Sequence, residues 1–552
     1  VIVLKGIPAS SGIAIGEAFV LSVESPTIMT DRIQPEHVAQ ETARLGTAMD
    51  MASTEIRAAM ELSESEAVRS IVETHVMIIE DPSFSDSLHK RIESGYTAEA
   101  AVVQECDALM QVMYQAKDSI LRDRAQDFET VKERLLGALR NRTLSHAAAE
   151  DRIVVAGLIT PQDMLFFKQT HTLGFITEIG GINSHACIVA RGMGIPAVIG
   201  IRNATGLIRE DVNLIVDGYA GDVIVDPDDE TLAIYREKQQ RAVEYRQQLG
   251  TLIATPAVTT DGVTVRLKGN IDTPDQVDDA LMSGCDGIGL VRTEFLLMQR
   301  GTYPTEDEQV AWYTDIAKRA YPLPVTFRAF DIGSDKFREG IPHHEDNPAL
   351  GLRGIRFLMY RPDLFLTQVR AILRASRLRN VRFMIPMVSV LEELYHARAV
   401  VADAARTLRA QGEEFDASMP FGIMIETPAA ALMADSFVPH VDFLSIGTND
   451  LAQYTLATDR TNELVADIFD AMHPSVLRMI HMVVTAAHAR GVEVSVCGEL
   501  AGHSAATEVL IGLGIHELSV APSLILELKN RIRHLHNGAC MQSASRMAGG
   551  VS

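Results

Sequence analysis

The run Gly422-Ile-Met-Ile-Glu-Thr427, followed after helix-length sequence by Val441-Asp-Phe-Leu-Ser-Ile-Gly447, decides the fold. Each is a short apolar segment that stops at a polar or small residue. Strands buried on both faces of a parallel sheet read in this way, as continuous apolar runs rather than alternating ones. The pattern extends in both directions. Upstream lie Thr264–Asn270, Gly287–Arg292, Val325–Asp331 and Arg382–Met387; downstream lie Glu493–Glu499 and His516–Val520. Eight such segments, interleaved with helical sequence over roughly 270 residues, predict a (β/α)8 (TIM) barrel covering residues 259–552.

The N-terminal half reads differently. In residues 31–141, Leu45, Met49, Ala52 and Ile56 recur at spacings of three and four, the period of an amphipathic helix, and Asp81-Pro82 and Gly95 punctuate the region. A helical bundle is expected there. Residues 142–229 carry short β-rich runs, Ile153-Val-Val-Ala156, Gly174-Phe-Ile-Thr177, Ala197-Val-Ile-Gly200, Asn213-Leu-Ile-Val-Asp217 and Asp222-Val-Ile-Val225, separated by turns. Residues 1–30, with Gly6–Ala18, are also strand and turn. They are assigned to the same α/β domain, so the bundle is expected as an insertion within it. Residues 230–258 read as a polar connecting helix. Beyond about Leu535 no motif is visible, and fraying is expected there.

Composition narrows the function classes. A chain of 552 residues, 47% hydrophobic and 22% charged, is expected to fold as two or three domains. Seventy-three acidic residues against 50 basic ones give a net charge of −23, which argues against sequence-independent nucleic-acid binding. The five cysteines are scattered and form no Cys-x-x-Cys pair, so neither a disulfide framework nor a zinc knuckle is expected, consistent with a reducing cytoplasm. No apolar run reaches the length of a membrane span, and no membrane insertion is expected.

Polar residues sit where the predicted barrel strands stop. Arg292 closes the second strand, Arg328 and Asp331 the third, Glu426 the fifth, Asn449 and Asp450 follow the sixth, and Cys497 and Glu499 close the seventh. In a barrel these ends converge on one face, where the site lies. Arg292, Arg328, Arg353 and Arg460 are candidates to grip a phosphate and a carboxylate through bidentate forks. Glu426 and Asp450 are hard oxygen donors suited to Mg2+. Cys497 reads either as a small buried residue or, beside an anion site, as a proton donor. The expected substrate is small, anionic and phosphorylated, yet the barrel offers no obvious covalent acceptor. Upstream, Gly180-Gly-Ile-Asn-Ser-His-Ala-Cys-Ile-Val-Ala-Arg-Gly192 presents His185, which by itself reads as a buried core residue, a metal ligand or a nucleophile. Asn183-Ser184 reads as a helix start, which places His185 on a first turn, where main-chain N–H groups favour a phosphate and disfavour imidazolium.

Six motifs in register carry a family likeness: Gly180-Gly-x-x-Ser-His, Arg292-Thr-Glu-Phe, Asp331-Ile-Gly-Ser-Asp-Lys, Glu426-Thr-Pro-Ala-Ala, Ser445-Ile-Gly-Thr-Asn-Asp-Leu-x-Gln-Tyr and Cys497-Gly-Glu-Leu-Ala-Gly. Together the chain resembles Enzyme I of the bacterial phosphoenolpyruvate-dependent phosphotransferase system, from near Gly6 to about Pro522. The resemblance implies that phosphoenolpyruvate binds with Mg2+ in the barrel, that its phosphoryl group passes to His185 with release of pyruvate, and that a histidine phosphocarrier protein docked on the helical domain receives it. It implies that Arg292, Arg328 and Arg460 hold the substrate's anionic groups, with Asn449 beside it and Lys336 a further contact. Glu426 and Asp450 are implied to hold magnesium, and Cys497 to protonate the enolpyruvate carbon. A homodimer through the barrel is also implied. The family has Thr where this chain has Asn183, a change that bears on how His185 is oriented; Thr160 matches a family position near that histidine. Pyruvate phosphate dikinase and phosphoenolpyruvate synthase share the barrel and histidine domain but also need a nucleotide-grasp domain, for which the sequence shows no counterpart.

Overall fold

The computed structural model describes residues 1–21, 32–62, 66–115, 119–139, 149–157, 159, 167, 171–178, 194–300, 303–333, 345, 347–459, 465 and 468–548. They fall into two compact units, Val1–Tyr245 and Arg246–Ser552.

The first unit contains a sheet of strands β1 (Ile2–Lys5), β2 (Ile7–Ser10), β3 (Ile13–Leu21), β4 (Ile153–Ala156), β5 (Gly174–Thr177), β6 (Ala197–Ile199), β7 (Asn213–Asp217) and β8 (Asp222–Val225). Their order is β1-β8-β7-β3-β4-β5-β6-β2. β3, β4, β5 and β6 run parallel, and antiparallel pairs flank them on either side. β4 shows why such a strand is apolar throughout. Ile153 and Val155 enter one core with Ile176 and Val216, while Val154 and Ala156 enter another with Phe167 and Phe175. Side chains alternate across a strand, so burial on both faces needs an uninterrupted apolar run.

Between β3 and β4 the chain forms a bundle of helices Val38–Leu62, Glu66–Ile79, Pro82–Glu93, Ala98–Gln115 and Ser119–Leu139. Leu45, Ala52 and Ile56 lie in its core with Leu88, Val102, Cys106, Val131 and Leu135. Asp81 caps the third helix, accepting from the main-chain N–H of Ser83 at 2.7 Å and Phe84 at 3.3 Å, and Pro82 opens the first turn, where its missing N–H leaves nothing unpaired. The bundle therefore enters and leaves through neighbouring parallel strands, Ala18 facing Ile153 and Leu21 facing Ala156.

The second unit is a closed parallel barrel of β9 (Arg266–Ile271), β10 (Ile288–Arg292), β11 (Val325–Arg328), β12 (Val381–Ile385), β13 (Phe421–Ile425), β14 (Phe443–Ile446), β15 (Glu493–Val496) and β16 (Glu517–Val520), with β16 pairing back to β9. Helices on the outside supply most of its core. Helix Pro362–Ala375, for example, buries Phe365, Val369 and Ile372. The end where the strands begin is closed by charge. Lys268 Nζ lies 2.8 Å from Glu517 Oε1, Arg266 Nε 3.0 Å from Glu517 Oε2, and Arg266 and Arg382 both reach Glu493, at 3.0 and 2.9 Å. Burial pulls the Lys268 pKa down, with Glu517 opposing the shift.

The C-terminal segment departs from the expected fraying. Residues Asn537–Met547 form a helix that buries Cys540 and Ala544. Asp261 accepts from the main-chain N–H of Asn537 at 2.8 Å and of Gly538 at 3.3 Å, and Arg478 Nε donates to the Ala548 carbonyl at 2.8 Å. The cap comes from a residue distant in sequence, and for that reason it left no local signature.

Candidate active site

The C-terminal strand ends gather the polar residues. Arg328, the last residue of β11, is buried. Its Nη2 donates to Glu294 Oε1 at 2.9 Å, and its Nη1 lies 3.5 Å from Asp331 Oδ2. Glu294 also accepts from the main-chain N–H of Asp331, so one carboxylate fixes both the arginine and the turn that follows it. Arg353 closes on the same aspartate as a fork, Nη2 to Oδ2 at 2.8 Å and Nε to Oδ1 at 3.2 Å. Its Nη1 then reaches Asp450 Oδ1 at 3.3 Å and Tyr454 Oη at 3.1 Å. Burial opposes charge on both arginines, but the surrounding carboxylates outweigh it and hold their pKa values above the usual range.

Behind this pair, a buried polar relay fixes the main chain. Gln368 Oε1 accepts from the Phe330 N–H at 3.0 Å, and its Nε2 donates to Thr293 Oγ1 and Tyr313 Oη, both at 3.1 Å. Thr293 Oγ1 donates to the Arg328 carbonyl at 2.8 Å. Arg292, next to Thr293, is exposed, with Nη1 3.6 Å from Asp272 Oδ1.

Glu426 follows β13 and is 1% exposed. Its Oε1 accepts from the Met387 main-chain N–H at 2.6 Å. Met387 aims that N–H by adopting φ +59°, and Gly354 makes room: a Cβ there would stand 2.7 Å from Met387 Cβ, and the position itself has φ +55°. Thr427, the next residue, caps helix Pro428–Leu432 and donates to the Val388 carbonyl at 3.1 Å. Burial, then the Asp450 and Asp331 carboxylates, push the Glu426 pKa well above the ordinary carboxylate range, against the pull of Arg328 and Arg353.

Asp450 and Asn449 lie in the first turn of helix Thr448–Leu456. Asn449 Nδ2 donates to Glu499 Oε1 at 2.9 Å. Cys497 is buried in the barrel with Leu290, Met384, Met424 and Phe443. Burial drives its thiol pKa up to about 11, Ser445 and the two arginines Arg328 and Arg292 opposing this and Glu426 adding to it. The thiol therefore holds its proton at neutral pH.

Of the residues singled out from sequence, Arg328, Arg353, Glu426 and Asp450 thus come together directly or through Asp331, with Arg292, Asn449 and Cys497 at adjoining strand ends. His185, Lys336 and Arg460 lie outside the described residues, as do Asn183 and Thr160. Residue 185 falls in the connection from β5 to β6. Sequence reasoning passed over Glu294, Gln368 and Tyr454. Glu294 stands within Arg292-Thr-Glu-Phe and Tyr454 closes Ser445-Ile-Gly-Thr-Asn-Asp-Leu-x-Gln-Tyr, so both could have been found there; Gln368 sits on a helix outside any motif and betrays nothing in one dimension.

The barrel mouth suits a divalent cation in chemical type: hard carboxylates, one of them destabilised by its like-charged neighbours. Among the described residues no cluster of three or more His, Cys, Asp or Glu is arranged to hold a metal. The Arg328 Nε, buried and without a hydrogen-bond partner among the described residues, is a donor left over at the same place.

A parallel barrel whose strand ends carry this mix of arginines and carboxylates belongs with the phosphoenolpyruvate-utilising enzymes. Three family models match: PEP-utilising enzyme, N-terminal, over residues 5–124; the mobile domain over 148–221; and the PEP-binding domain over 246–537. Within that class the chain belongs to the phosphoenolpyruvate-protein phosphotransferase family. It is 39% identical over 552 residues to the protein of that name from Cupriavidus necator, covering 97% of this chain and 94% of the relative. It is 38% identical to that of Geobacillus stearothermophilus, covering 96% and 93%, and 37% identical to that of Listeria monocytogenes, covering 98% and 96%. A solution structure of an Enzyme I protein, 33% identical, covers 43% of this chain and 99% of its own, with a TM-score of 0.38. The chain is a phosphotransferase of this family, and among the described residues no helix is long and apolar enough to cross a membrane.

Proposed function

We propose that this protein takes the phosphoryl group of phosphoenolpyruvate onto His185, releases pyruvate, and hands the group to a histidine of a small phosphocarrier protein, the first step of a sugar phosphotransferase cascade. The observation that carries this reading is the buried cluster Arg328–Asp331–Arg353–Asp450 with Glu426 beside it, a fixed set of charges at the one face of a barrel where chemistry is done. Phosphoryl transfer needs positioning and charge neutralisation more than covalent help, and this set supplies both.

In this reading Arg292, Arg328 and Arg460 grip the phosphate and carboxylate of the substrate, with Asn449, Lys336 and Arg353 as further contacts. Glu426 and Asp450 hold Mg2+, which when bound supplies neutralisation of the phosphate oxygens. His185 presents a neutral ring nitrogen to phosphorus. The phosphorus–oxygen ester bond breaks, and its electron pair stays on the enolate oxygen. The enolate then closes to a carbonyl as its C3 takes the Cys497 proton, and the thiolate regains one from water. The high thiol pKa supports an acid that is still protonated when the enolate forms.

The domain limits that go with this reading are residues 1–30 and 142–229 for the phosphohistidine domain, 31–141 for the phosphocarrier-binding bundle, 230–258 for the linker, and 259–552 for substrate binding and homodimer formation. A cytoplasmic site of action goes with it. The test is incubation with phosphate-labelled phosphoenolpyruvate and Mg2+. An acid-labile, base-stable label that is lost in His185→Ala and chased onto a phosphocarrier is expected; label that persists in His185→Ala sinks the proposal.

A further inference from the structure

The barrel is unevenly stitched around Cys497. β14 and β15 share four register pairs, from Phe443↔Glu493 to Ile446↔Val496. β16 and β9 also share four, from Glu517↔Arg266 to Val520↔Gly269. Between them, β15 and β16 meet at a single pair, Val496↔Leu518. Cys497 is the next residue after that lone pair. On its β14 side it is well held, the Cys497 N–H donating to the Ile446 carbonyl at 3.1 Å.

The β16 side is joined through a side chain. Asn270, near the end of β9, donates from Nδ2 to the Cys497 carbonyl and to the Ser519 carbonyl, both at 3.0 Å. Its Oδ1 accepts from Ser519 Oγ at 2.6 Å. One amide thus ties β9, β15 and β16 where the ladder between the last two is shortest. A carboxamide is the side chain of this size that offers two N–H donors and an acceptor together; a carboxylate has no donor and a hydroxyl has one.

We propose that Asn270 is a positioning residue for the protonation step: by holding the Cys497 carbonyl against β16 it sets where the thiol stands, and so which face of the enolate C3 receives the proton. A cysteine sulfur is separated from the main chain by a single rotatable bond, so a main chain fixed through both the N–H and the carbonyl leaves the sulfur only its χ1 choice. Displacement of a reacting group by about 1 Å can cost about 100-fold in rate. The inference rests on Cys497 being the acid. The step balances as before: the S–H bond breaks, its proton joins C3 through the C2–C3 π pair, and the enolate oxygen becomes a carbonyl oxygen.

The experiment uses the full-length protein with phosphoenolpyruvate made chiral by deuterium at C3, Mg2+ and tritiated water. It reads two things from one reaction: the rate at which phosphate appears on the protein, and the chirality of the pyruvate methyl. Asn270→Asp keeps shape and removes both donors; Ser519→Ala leaves the donors and removes only the hydroxyl that orients the amide. In Asn270→Asp the expected loss falls about tenfold more heavily on stereospecific protonation than on protein phosphorylation, with the methyl approaching a racemate. Ser519→Ala is expected to move the same way by less, and keeps the test alive should Asn270→Asp fold poorly. Equal losses in both readouts with chirality retained, in whichever variant folds, overturn the proposal, because a purely structural role predicts that. Cys497→Ala run alongside separates the two layers: retained stereospecificity there defeats the reading of Cys497 as the acid, whatever Asn270 does.

Discussion

Asn449 and Glu499 hold each other twice: the Asn449 amide donates to Glu499 Oε1 at 2.9 Å, and the Glu499 main-chain N–H donates back to Asn449 Oδ1 at 3.0 Å. The pair crosses from the helix after β14 to the turn after β15, and it fixes which way the Asn449 amide faces before any substrate arrives. Glu499→Gln keeps an acceptor for Asn449; Glu499→Ala removes it. We expect KM for phosphoenolpyruvate to rise about tenfold in Glu499→Ala, the scale of one lost neutral or charge-assisted hydrogen bond of about 1.5 kcal/mol. Glu499→Gln should stay within about threefold of the parent. Steady-state kinetics of pyruvate release measures both, and equal behaviour of the two variants would refute the orienting role.

Arg328 has no spare capacity for substitution. It is buried against Glu294 and Asp331, with one nitrogen to spare. Arg328→Lys keeps the charge and loses the fork, so kcat/KM should fall at least about 100-fold, about 3 kcal/mol of transition-state stabilisation. Arg328→Met also leaves the buried Glu294 without its cation, while Asp331 keeps Arg353, and its unfolding free energy should drop by about 3 kcal/mol. Denaturant melts of the two variants compare them directly; a methionine variant as stable as the lysine one would show that Glu294 finds another partner.

Removal of divalent cations addresses Glu426 and Asp450. With EDTA, phosphorylation of the protein by phosphoenolpyruvate should stop, and Mg2+ should restore it. Asp450→Asn should need at least about tenfold more Mg2+ for half-maximal rate, since one hard anionic donor of two is lost. Full phosphorylation in EDTA would dismiss the metal assignment.

Acid should loosen the C-terminal helix before the barrel. The main-chain N–H of Asn537, then Thr259, lower the Asp261 pKa to about 2 from its usual 3.8. A depressed folded-state value means that the contribution is present above the unfolded value and is lost as pH falls towards the folded one. Protection of the Asn537–Met547 amides, taken against their intrinsic exchange rates, should therefore fall between about pH 4 and pH 2. Asp261→Ala should show that lower protection already at neutral pH, by several-fold, with the barrel strands unchanged. Uniform exchange across residues 259–548 would contradict this.

How much of this was visible in one dimension depends on how local the cause is. The barrel was readable because a strand buried on both faces must be apolar, as β13 is from Phe421 to Ile425, each residue buried. The mouth was readable because polar residues that interrupt such runs, such as Glu426, stand out against them. What sequence could not give was partnership. Asn270 meets Cys497, Gln368 meets Thr293, and Asp261 caps a helix starting at Asn537, all across long stretches of chain. The same nonlocality explains the expected fraying after Leu535, which the buried Cys540 corrects.

The pairing of β1 with β8, Ile2 against Val225, has a consequence for the order of events during synthesis. Within this sheet the earliest strand in the chain has the last one as its neighbour, and β3 waits for β4 until the whole bundle between them has been made. Helices whose contacts are short-range close quickly, whereas strands far apart in sequence must wait for their partners. The bundle should thus be folded on the ribosome while residues 1–21 are still without a sheet, exposing apolar edge strands to the cell. A nascent chain halted between residues 139 and 213 would be a folded insert hanging from an unfinished host, and that interval is where a chaperone has most to protect.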